Sequence, residues 1–351
     1  MTDPSTPSTY AAAGVDLEAG DRAVELMKAK VATATRPEVV GGLGGFAGLF
    51  QLDVSKWRRP LLASSTDGVG TKVAIARQLD KHDTIGQDLV AMVVDDIVVC
   101  GAEPLYLQDY IACGKVVPEK IAAIVGGIAD GCRLAGTALV GGETAEHPGL
   151  MDPDEYDVAA CATGIVEADR VLGPDRVRAG DRLVALASSG FHSNGYSLVR
   201  KVVADAGLDL MSTPQDLGTT LGEALLEPTR IYTLPLLELL GQVDVHAMCH
   251  VTGGGIPGNL PRVLPDGLGA TVDRSTWALP PLFSLITRAG GIDRAEAERA
   301  FNVGVGMLVA LPAGDADRAV RQLTESGLDA WVCGEITAQA DAATTMVGDY
   351  R

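Results

Sequence analysis

The feature that most constrains the fold is a pattern that recurs along the chain. A short apolar run leads into a glycine-rich polar turn, and a stretch with helical spacing follows. In the first half the run 60–65 leads into the turn 66–72, and in the second half the run 182–187 leads into 188–195. Alternation of this kind is typical of chains that mix strands and helices. The pattern therefore predicts an α/β fold with mixed sheets.

The length predicts two domains, because 351 residues exceed one ordinary core and suit two domains of roughly 150 to 200 residues each. A charged stretch at 169–180 contains two glycine turns and marks the expected boundary. We therefore expect a disordered, Pro- and Ser-rich lead-in at residues 1–9, an N-terminal α/β domain at 10–170 and a C-terminal α/β domain at 171–351.

Composition argues against several classes of function. The net charge of −18 disfavours nucleic-acid binding, which needs a basic face. No segment approaches the roughly 20 continuous apolar residues that cross a bilayer, and the N-terminus has no apolar signal region. The six cysteines include no CxxC pair and mostly lie in apolar runs, which is typical of reduced core thiols. We expect a cytoplasmic protein that binds neither nucleic acid nor membrane.

No Walker A loop and no GxGxxG after a strand occur, so the common nucleotide-binding folds lose support. Glycine-rich turns with acidic residues occur instead. Asp67 lies between the predicted strand 60–65 and two glycines, Gly68 and Gly70, which let a backbone approach a phosphate closely, and Lys72 could neutralise that phosphate. The competing interpretation is a surface turn capped by Asp67.

Carboxylates in three separate segments indicate a divalent-metal site. Asp95 and Asp96 lie within the apolar helix predicted at 86–99, where a buried carboxylate needs a cationic partner. Glu143 follows the predicted strand 137–140, at the end of a strand where ligands of α/β sheets commonly bind. Mg²⁺ prefers such oxygen ligands. An arginine or lysine partner is the alternative for the helix carboxylates.

Three further segments could bind or transform a substrate. His192 lies in a polar turn that opens a helix, where an imidazole can shuttle protons, or it simply caps that helix. The turn 252–255 is a candidate phosphate or ribose clamp, and a plain glycine turn is the alternative. The glycine-rich segment 41–48 suggests a loop that orders over a ligand, or only a linker. His246 and His250 lack metal spacing and are interpreted as packing groups rather than zinc ligands.

Taken together, these segments resemble one family, the phosphoribosylformylglycinamidine cyclo-ligases, from about residue 10 to the predicted last strand near residue 336. The resemblance rests on ordered blocks that include GGLGGFAG at 41–48, TDGVGTK at 66–72, CGAEPLYLQDY at 100–110, LVGGETAEHPG at 139–149, SSGFHSNGYSLVRK at 188–201, VTGGGIPGNLPRVLP at 251–265 and FNVGVGM at 301–307.

The resemblance implies an ATP-dependent ring closure of formylglycinamidine ribonucleotide to aminoimidazole ribonucleotide, with ADP and phosphate released, in purine biosynthesis. It implies a two-domain ATP-binding synthetase fold, in which the N-terminal domain also binds ATP and metal. The strands of that domain and of its twin would form a β-barrel across a homodimer. The implied partners are formylglycinamidine ribonucleotide and ATP, and the implied cofactors are ATP and Mg²⁺.

The resemblance also assigns site residues. His192, Asp96 and Lys72 are expected to be catalytic, and Asp67, Asp96 and Glu143 to hold the metal. The residues expected to bind the cofactor are Lys28, Gly44, Gly45, Asp67, Gly68, Gly70, Thr71 and Gly142. The residues expected to bind the substrate are Ser193, Asn194, Gly195, Thr252, Gly253 and Gly254.

The chain departs from the family pattern at Asp95, where asparagine is usual, and at Phe191. Asp95 then either alters metal affinity or points away from the site. The rival interpretations are another enzyme of the superfamily, such as a small-molecule kinase or selenophosphate synthetase, and a non-catalytic protein on the same fold. No cysteine precedes Cys100, where a selenophosphate synthetase would need one, and the acidic residues of a catalytic site are present.

Overall fold

A computed structural model of the chain describes residues 14–42, 45–339 and 343–351, so the expected lead-in at 1–9 lies outside the described residues. The α-helices are α1 (Leu17–Val31), α2 (Val73–Gln78), α3 (Ile85–Val98), α4 (Pro118–Ala135), α5 (Tyr196–Asp205), α6 (Leu221–Leu226), α7 (Thr233–Leu240), α8 (Gly255–Asn259), α9 (Pro281–Gly290), α10 (Arg294–Ala300) and α11 (Ala316–Glu325). The strands are β1 (Val39–Val40), β2 (Leu49–Phe50), β3 (Pro60–Gly68), β4 (Glu103–Cys113), β5 (Ala138–Glu146), β6 (Tyr156–Glu167), β7 (Arg182–Ala187), β8 (Ala247–His250), β9 (Leu268–Asp273), β10 (Val305–Leu311), β11 (Ala330–Ala338) and β12 (Thr344–Val347).

The strands form two mixed sheets and one small hairpin. The first sheet has four strands in the order β3-β6-β4-β5, of which β4 and β5 are parallel. The second has six strands in the order β12-β9-β11-β7-β10-β8, of which β12 and β9 are parallel. The mixed α/β fold predicted from the alternating pattern is confirmed. The predicted boundary at residues 170 and 171 falls between β6 and β7 and stays a prediction.

The ends of the long helices follow local signals. α4 has Pro118 in its first turn and ends before Gly136, whose φ of 68° is left-handed; this is the arrangement that proline and glycine favour at the two ends of a helix. α3 ends before Gly101, which also has a positive φ of 83° and bonds back to Val98 O. α3 agrees with the helix predicted at 86–99 to within a residue at each end.

Two strands run further than the sequence pattern indicated. We expected Asp67 to lie in a turn after residue 65, but β3 continues to Gly68 and pairs with β6 along its whole length. We expected a turn at 141–143, but β5 continues to Glu146 and pairs Glu143 with Tyr110 of β4. In both cases the neighbouring strand supplies hydrogen bonds that outweigh the local preference of glycine for turns.

One face of the four-stranded sheet is packed and the other is exposed. α3 packs against β3 and β6, and α4 packs against α3 and β5. The opposite face carries Leu62 with 68% exposure, Tyr110 with 42%, and the exposed Cys161. Buried side chains of both halves of the chain form one continuous hydrophobic cluster. The packed helices therefore connect the two sheets.

Among the described residues, no helix has the length and hydrophobicity that a membrane span requires.

Candidate active site

Two carboxylates and a histidine meet where β3, α3 and β8 come together. The carboxylate Oδ1 of Asp96 lies 2.9 Å from Nδ1 of His250, and Asp67 is close enough that the Asp96 charge raises its pKa. Asp67 Oδ1 accepts a hydrogen bond of 2.7 Å from Gly68 N–H. A cavity of about 280 Å³ opens here, with Asp96, His250, Ser65 and Arg262 among the residues that line it.

The electrostatics of this cluster favour a positive charge. Burial raises the pKa of Asp67, and the charge of Asp96 adds to the rise. Burial lowers the pKa of His250, but its hydrogen bond to Asp96 and the charges of Asp95, Asp96 and Asp67 outweigh burial and raise it. His250 Nε2 is buried and has no partner among the described residues. The cluster can therefore hold a proton on His250 and present an N–H to a ligand.

His250 was missed as a site residue, because we interpreted it as a packing group. The available signal was its position at the end of β8, just before the glycine turn at 252–255.

Asp95 and Asp96 are neighbours with different environments. Asp95 is fully buried and accepts hydrogen bonds from Tyr232 N–H and the Thr233 hydroxyl at the start of α7. Burial raises the pKa of Asp95 to about 7. His250 lies against Asp96, whereas Asp95 is bonded by neutral donors. Asp95 therefore points away from the cavity and acts on it only through its charge.

His192 lies on the loop before α5 and is buried with a positive φ of 60°. Its Nε2 accepts a hydrogen bond of 3.1 Å from Ser189 N–H, so the neutral ring carries its proton on Nδ1. Burial lowers the pKa of His192 far below its usual value, and the charges of His250, Lys72 and Arg230 add to this. Nδ1 is buried and unpartnered among the described residues. His192 is thus a neutral histidine with a free donor.

Lys72 does not occupy the position expected for a group that neutralises phosphate. It is fully buried, and its Nζ donates to Asp88 Oδ1 at 2.8 Å, to Glu227 O at 2.7 Å and to His192 O at 3.1 Å. All three N–H donors of the ammonium group are therefore used. Asp88 in turn accepts from the Thr229 backbone N–H and hydroxyl. A direct catalytic role for Lys72 does not agree with this geometry, which instead holds the His192 loop in place.

The expected substrate-binding residues lie together. Asn194 Oδ1 accepts a hydrogen bond of 3.1 Å from Gly253 N–H and so joins the loop before α5 to the turn before α8. The Ser193 and Thr229 hydroxyls lie 3.4 Å apart. Gly195 and Gly254 have φ of 76° and 99°, which favours glycine at both positions.

The remaining turn residues lie beside this region. Thr71 Oγ1 lies 3.1 Å from Ser197 Oγ on α5, and Gly70 has a φ of 69°. A side chain at Gly68 would approach Val158 O to 2.9 Å. These residues therefore connect the end of β3 to the second half of the chain.

Some of the expected cofactor residues, together with the expected metal ligand Glu143, surround a different cavity. Gly45, Gly142 and Glu143 line a space of about 360 Å³ beside α1 and β5. Lys28 lines an adjoining space of about 260 Å³, and its ammonium group pairs with Glu25. Gly44, which we also expected to bind the cofactor, lies outside the described residues.

The three expected metal ligands do not meet within this chain. The cross-strand partners trace a line over the sheet from Asp67 on β3 to Ala160 on β6, Asp109 on β4 and Gly142 on β5. Glu143 follows Gly142 on β5 and therefore lies three strands away from Asp67. At roughly 4.8 Å per strand this separation is about 14 Å. The described residues contain no group of three His, Cys, Asp or Glu side chains suited to a metal ion. Only Asp67 and Asp96 come together, because Glu143 lies at the far edge of the sheet.

Comparison with known proteins assigns the class. Residues 53–166 match the family model of the AIR synthase related protein, N-terminal domain, and residues 178–346 match that of the C-terminal domain. Among curated proteins, the chain is 52% identical over 339 residues to a phosphoribosylformylglycinamidine cyclo-ligase of Desulfitobacterium hafniense, which covers 96% of this chain and 99% of that protein. A cyclo-ligase of an Anaeromyxobacter species is 52% identical, and the match covers 97% of this chain and 98% of that protein.

Solved structures show the same fold. Thiamine-monophosphate kinase from Stenotrophomonas maltophilia matches with a TM-score of 0.65 at 18% identity, covering 94% of this chain and 97% of that chain. E. coli HypE matches with a TM-score of 0.64 at 18% identity, covering 95% of this chain and 94% of that chain. The fold and the two family models define an AIR synthase related protein. At the level of identity to the curated relatives, the chain belongs to the phosphoribosylformylglycinamidine cyclo-ligase family, as its sequence blocks indicated, and it is an enzyme of that family.

Proposed function

We propose that the chain closes the imidazole ring of aminoimidazole ribonucleotide from formylglycinamidine ribonucleotide and ATP, with release of ADP and phosphate. The observation that carries this proposal is the convergence of distant segments at one junction. The ends of β3 and β8, the middle of α3 and the loop before α5 all contribute polar groups there. These segments contain the blocks that resemble the cyclo-ligases.

The reaction proceeds in two steps that the family resemblance implies. The γ-phosphoryl group of ATP passes to the formamide oxygen, so that a new P–O bond forms and ADP leaves. The amidine nitrogen then attacks the activated carbon, a C–N bond forms, the nitrogen loses a proton, and phosphate leaves with the former formamide oxygen. Phosphoryl transfer depends mainly on positioning and charge neutralisation. The roles of the site residues follow from that need.

Asp67 and Asp96 are proposed to hold Mg²⁺. Their mutual repulsion and the raised pKa of Asp67 indicate that a cation would stabilise the pair. Mg²⁺ is commonly bound by one or two carboxylates, with water and substrate phosphates as its other ligands, so two carboxylates suffice. The ion would neutralise phosphate charge. Glu143 stays a proposed ligand of the nucleotide-bound metal at the separate cavity.

His250 and His192 are proposed to donate hydrogen bonds to the substrate. Asp96 and its neighbours favour the protonated form of His250, whose Nε2–H can face an anionic oxygen in the cavity. The neutral His192 can offer its Nδ1–H. Asn194 and the turn 252–254 form the adjacent polar surface. Lys72 positions His192 through its backbone carbonyl and does not contact the substrate.

We also propose that the chain forms a homodimer through the exposed face of the four-stranded sheet, with the strands of both copies closing a β-barrel. Leu62, Tyr110 and Cys161 on this face are exposed in the single chain. Burial of such apolar groups favours association. The family resemblance implies the same assembly.

A phosphate-release assay tests the proposed reaction. Purified protein should release phosphate from ATP only when formylglycinamidine ribonucleotide and Mg²⁺ are both present, and the product should give the colour reaction of an aromatic amine after diazotisation. Thiamine monophosphate and selenide serve as control substrates. Phosphate release with either control, and none with formylglycinamidine ribonucleotide, would overturn the assignment.

A further inference from the structure

The cavity beside α1 and β5 has a composition unlike that of the junction cavity. Its volume is about 360 Å³, and α1 contributes an apolar wall of Ala23, Val24 and Met27. Leu139 and Val140 of β5 add to this wall. Clefts of roughly 300 to 1,000 Å³ with mainly apolar walls and a few polar groups are typical binding sites for small molecules.

A single buried carboxylate forms part of the cavity lining. Asp109 lies on β4 with 8% exposure and lines the cavity together with Gly142, its partner on β5. A side-chain carbon at Gly142 would lie 2.3 Å from Asp109 Oδ1, so glycine there leaves room for the carboxyl group. Among the described residues, no other residue donates a hydrogen bond or provides a countercharge to Asp109. The carboxyl group borders the cavity, where a ligand can donate a hydrogen bond to it.

The charge of the cavity indicates which part of a nucleotide would fit. The described lining residues include two carboxylates, Asp109 and Glu143, and no Lys, Arg or His. A phosphate group placed beside the buried carboxyl group of Asp109 would meet no positive side chain of the described lining, whereas a flat apolar group with an N–H donor would fit both the apolar walls and Asp109. The adjoining cavity contains Lys28, which suits the anionic part of the same ligand.

We propose that this cavity binds the adenine base of the nucleotide, with Asp109 accepting a hydrogen bond from the 6-amino group. Asp109 is then the residue that selects a 6-aminopurine over a 6-oxopurine, because the carbonyl oxygen of hypoxanthine or guanine would face the carboxylate. This inference rests on the proposed use of ATP. It adds which cavity binds the adenine base and which residue selects that base.

The first experiment compares ATP with ITP in the phosphate-release assay at saturating formylglycinamidine ribonucleotide. Burial raises the pKa of Asp109 to about 7, so the assay is run at pH 8, where the carboxyl group is ionised. The wild-type KM for ITP should then exceed that for ATP by roughly ten- to a hundredfold, the range expected for a lost hydrogen bond to a charged group. Asp109→Leu keeps the approximate shape of the side chain but removes the hydrogen-bond acceptor. The variant should bind ATP more weakly, so that its KM values for ATP and ITP lie within about threefold of each other, while kcat with ATP changes little.

The control is Asp181→Asn, which alters a buried carboxylate of the other half of the chain and should keep the wild-type ratio of KM values. Equal use of ITP and ATP by the wild type, or a wild-type ratio in Asp109→Leu, would overturn the inference. Such a result leaves the proposed reaction intact, because ATP would still be consumed.

The second experiment needs no variant and covers the case in which Asp109→Leu does not fold. The wild-type protein is photolabelled with 8-azido-ATP and digested, and the labelled peptides are identified by mass spectrometry. Label should appear in peptides that contain residues 17–31 or 138–146, and excess ATP should prevent it. Labelling confined to peptides around residues 248–263 would refute the base site, whether or not the ring-closing assay succeeds.

Discussion

Asp95→Asn should stabilise the protein at alkaline pH and have little effect at acid pH. Asp95 is fully buried in α3, and its hydrogen bonds come from the Tyr232 N–H and the Thr233 hydroxyl. An asparagine Oδ1 can accept the same two bonds. Because asparagine cannot ionise, the substitution removes a buried charge while preserving the contact between α3 and α7.

The magnitude follows from the pKa of Asp95, which burial raises from 3.8 to about 7. Between these values the folded chain keeps a proton that the unfolded chain has lost, so stability falls as the pH rises through this window. The shift of about three pKa units corresponds to about 4 kcal/mol at about 1.4 kcal/mol per unit. Asp95→Asn should therefore gain up to about 4 kcal/mol at pH 8 and almost nothing at pH 4.

The charge of Asp95 also affects His250 in the candidate active site. The charges of Asp95, Asp96 and Asp67 contribute to raising the pKa of His250. Removing the charge of Asp95 should therefore lower that pKa, and any limb of the pH–rate profile that belongs to His250 should move to lower pH.

Urea unfolding of both proteins at pH 4 and pH 8 measures the effect. Both proteins are compared at one concentration, because the stability of the proposed dimer would depend on concentration. Asp96→Asn is the matched control, since the Asp96 side chain is 43% exposed and its replacement should bring no comparable gain at pH 8. An equal gain at both pH values, or a loss at pH 8, would refute the argument that a buried charge is responsible.

Three further substitutions test the site and the assembly. Asp96→Asn should lower kcat by at least about a hundredfold, because preorganised charge stabilisation is lost, while light scattering still gives a dimer; full activity would remove Asp96 from the metal site. Lys72→Met leaves the buried Asp88 without its ammonium partner and should lower the free energy of unfolding in urea by about 3 to 5 kcal/mol. A decrease below about 1 kcal/mol would mean that the Lys72–Asp88 ion pair contributes little to stability. Leu62→Glu should halve the mass in sedimentation if the exposed sheet face is the dimer interface, and an unchanged mass would exclude that face.

Local sequence signals determined much of the secondary structure and the family. The ends of α4 could be predicted because Pro118 and Gly136 act through their own backbone conformations. The family could be predicted because many blocks occur in a fixed order. Both kinds of information are present in consecutive residues and need no knowledge of distant contacts.

The tertiary structure decided the role of each polar residue. Asp95 and Asp96 are adjacent in sequence, yet α3 directs one to α7 and the other to His250. The sequence indicated that Lys72 could neutralise a phosphate, but its ammonium group donates its hydrogen bonds to Asp88 and to two backbone carbonyl groups. A side chain's role depends on groups that lie far away in the chain, so spacing and composition could nominate these residues but not distinguish them.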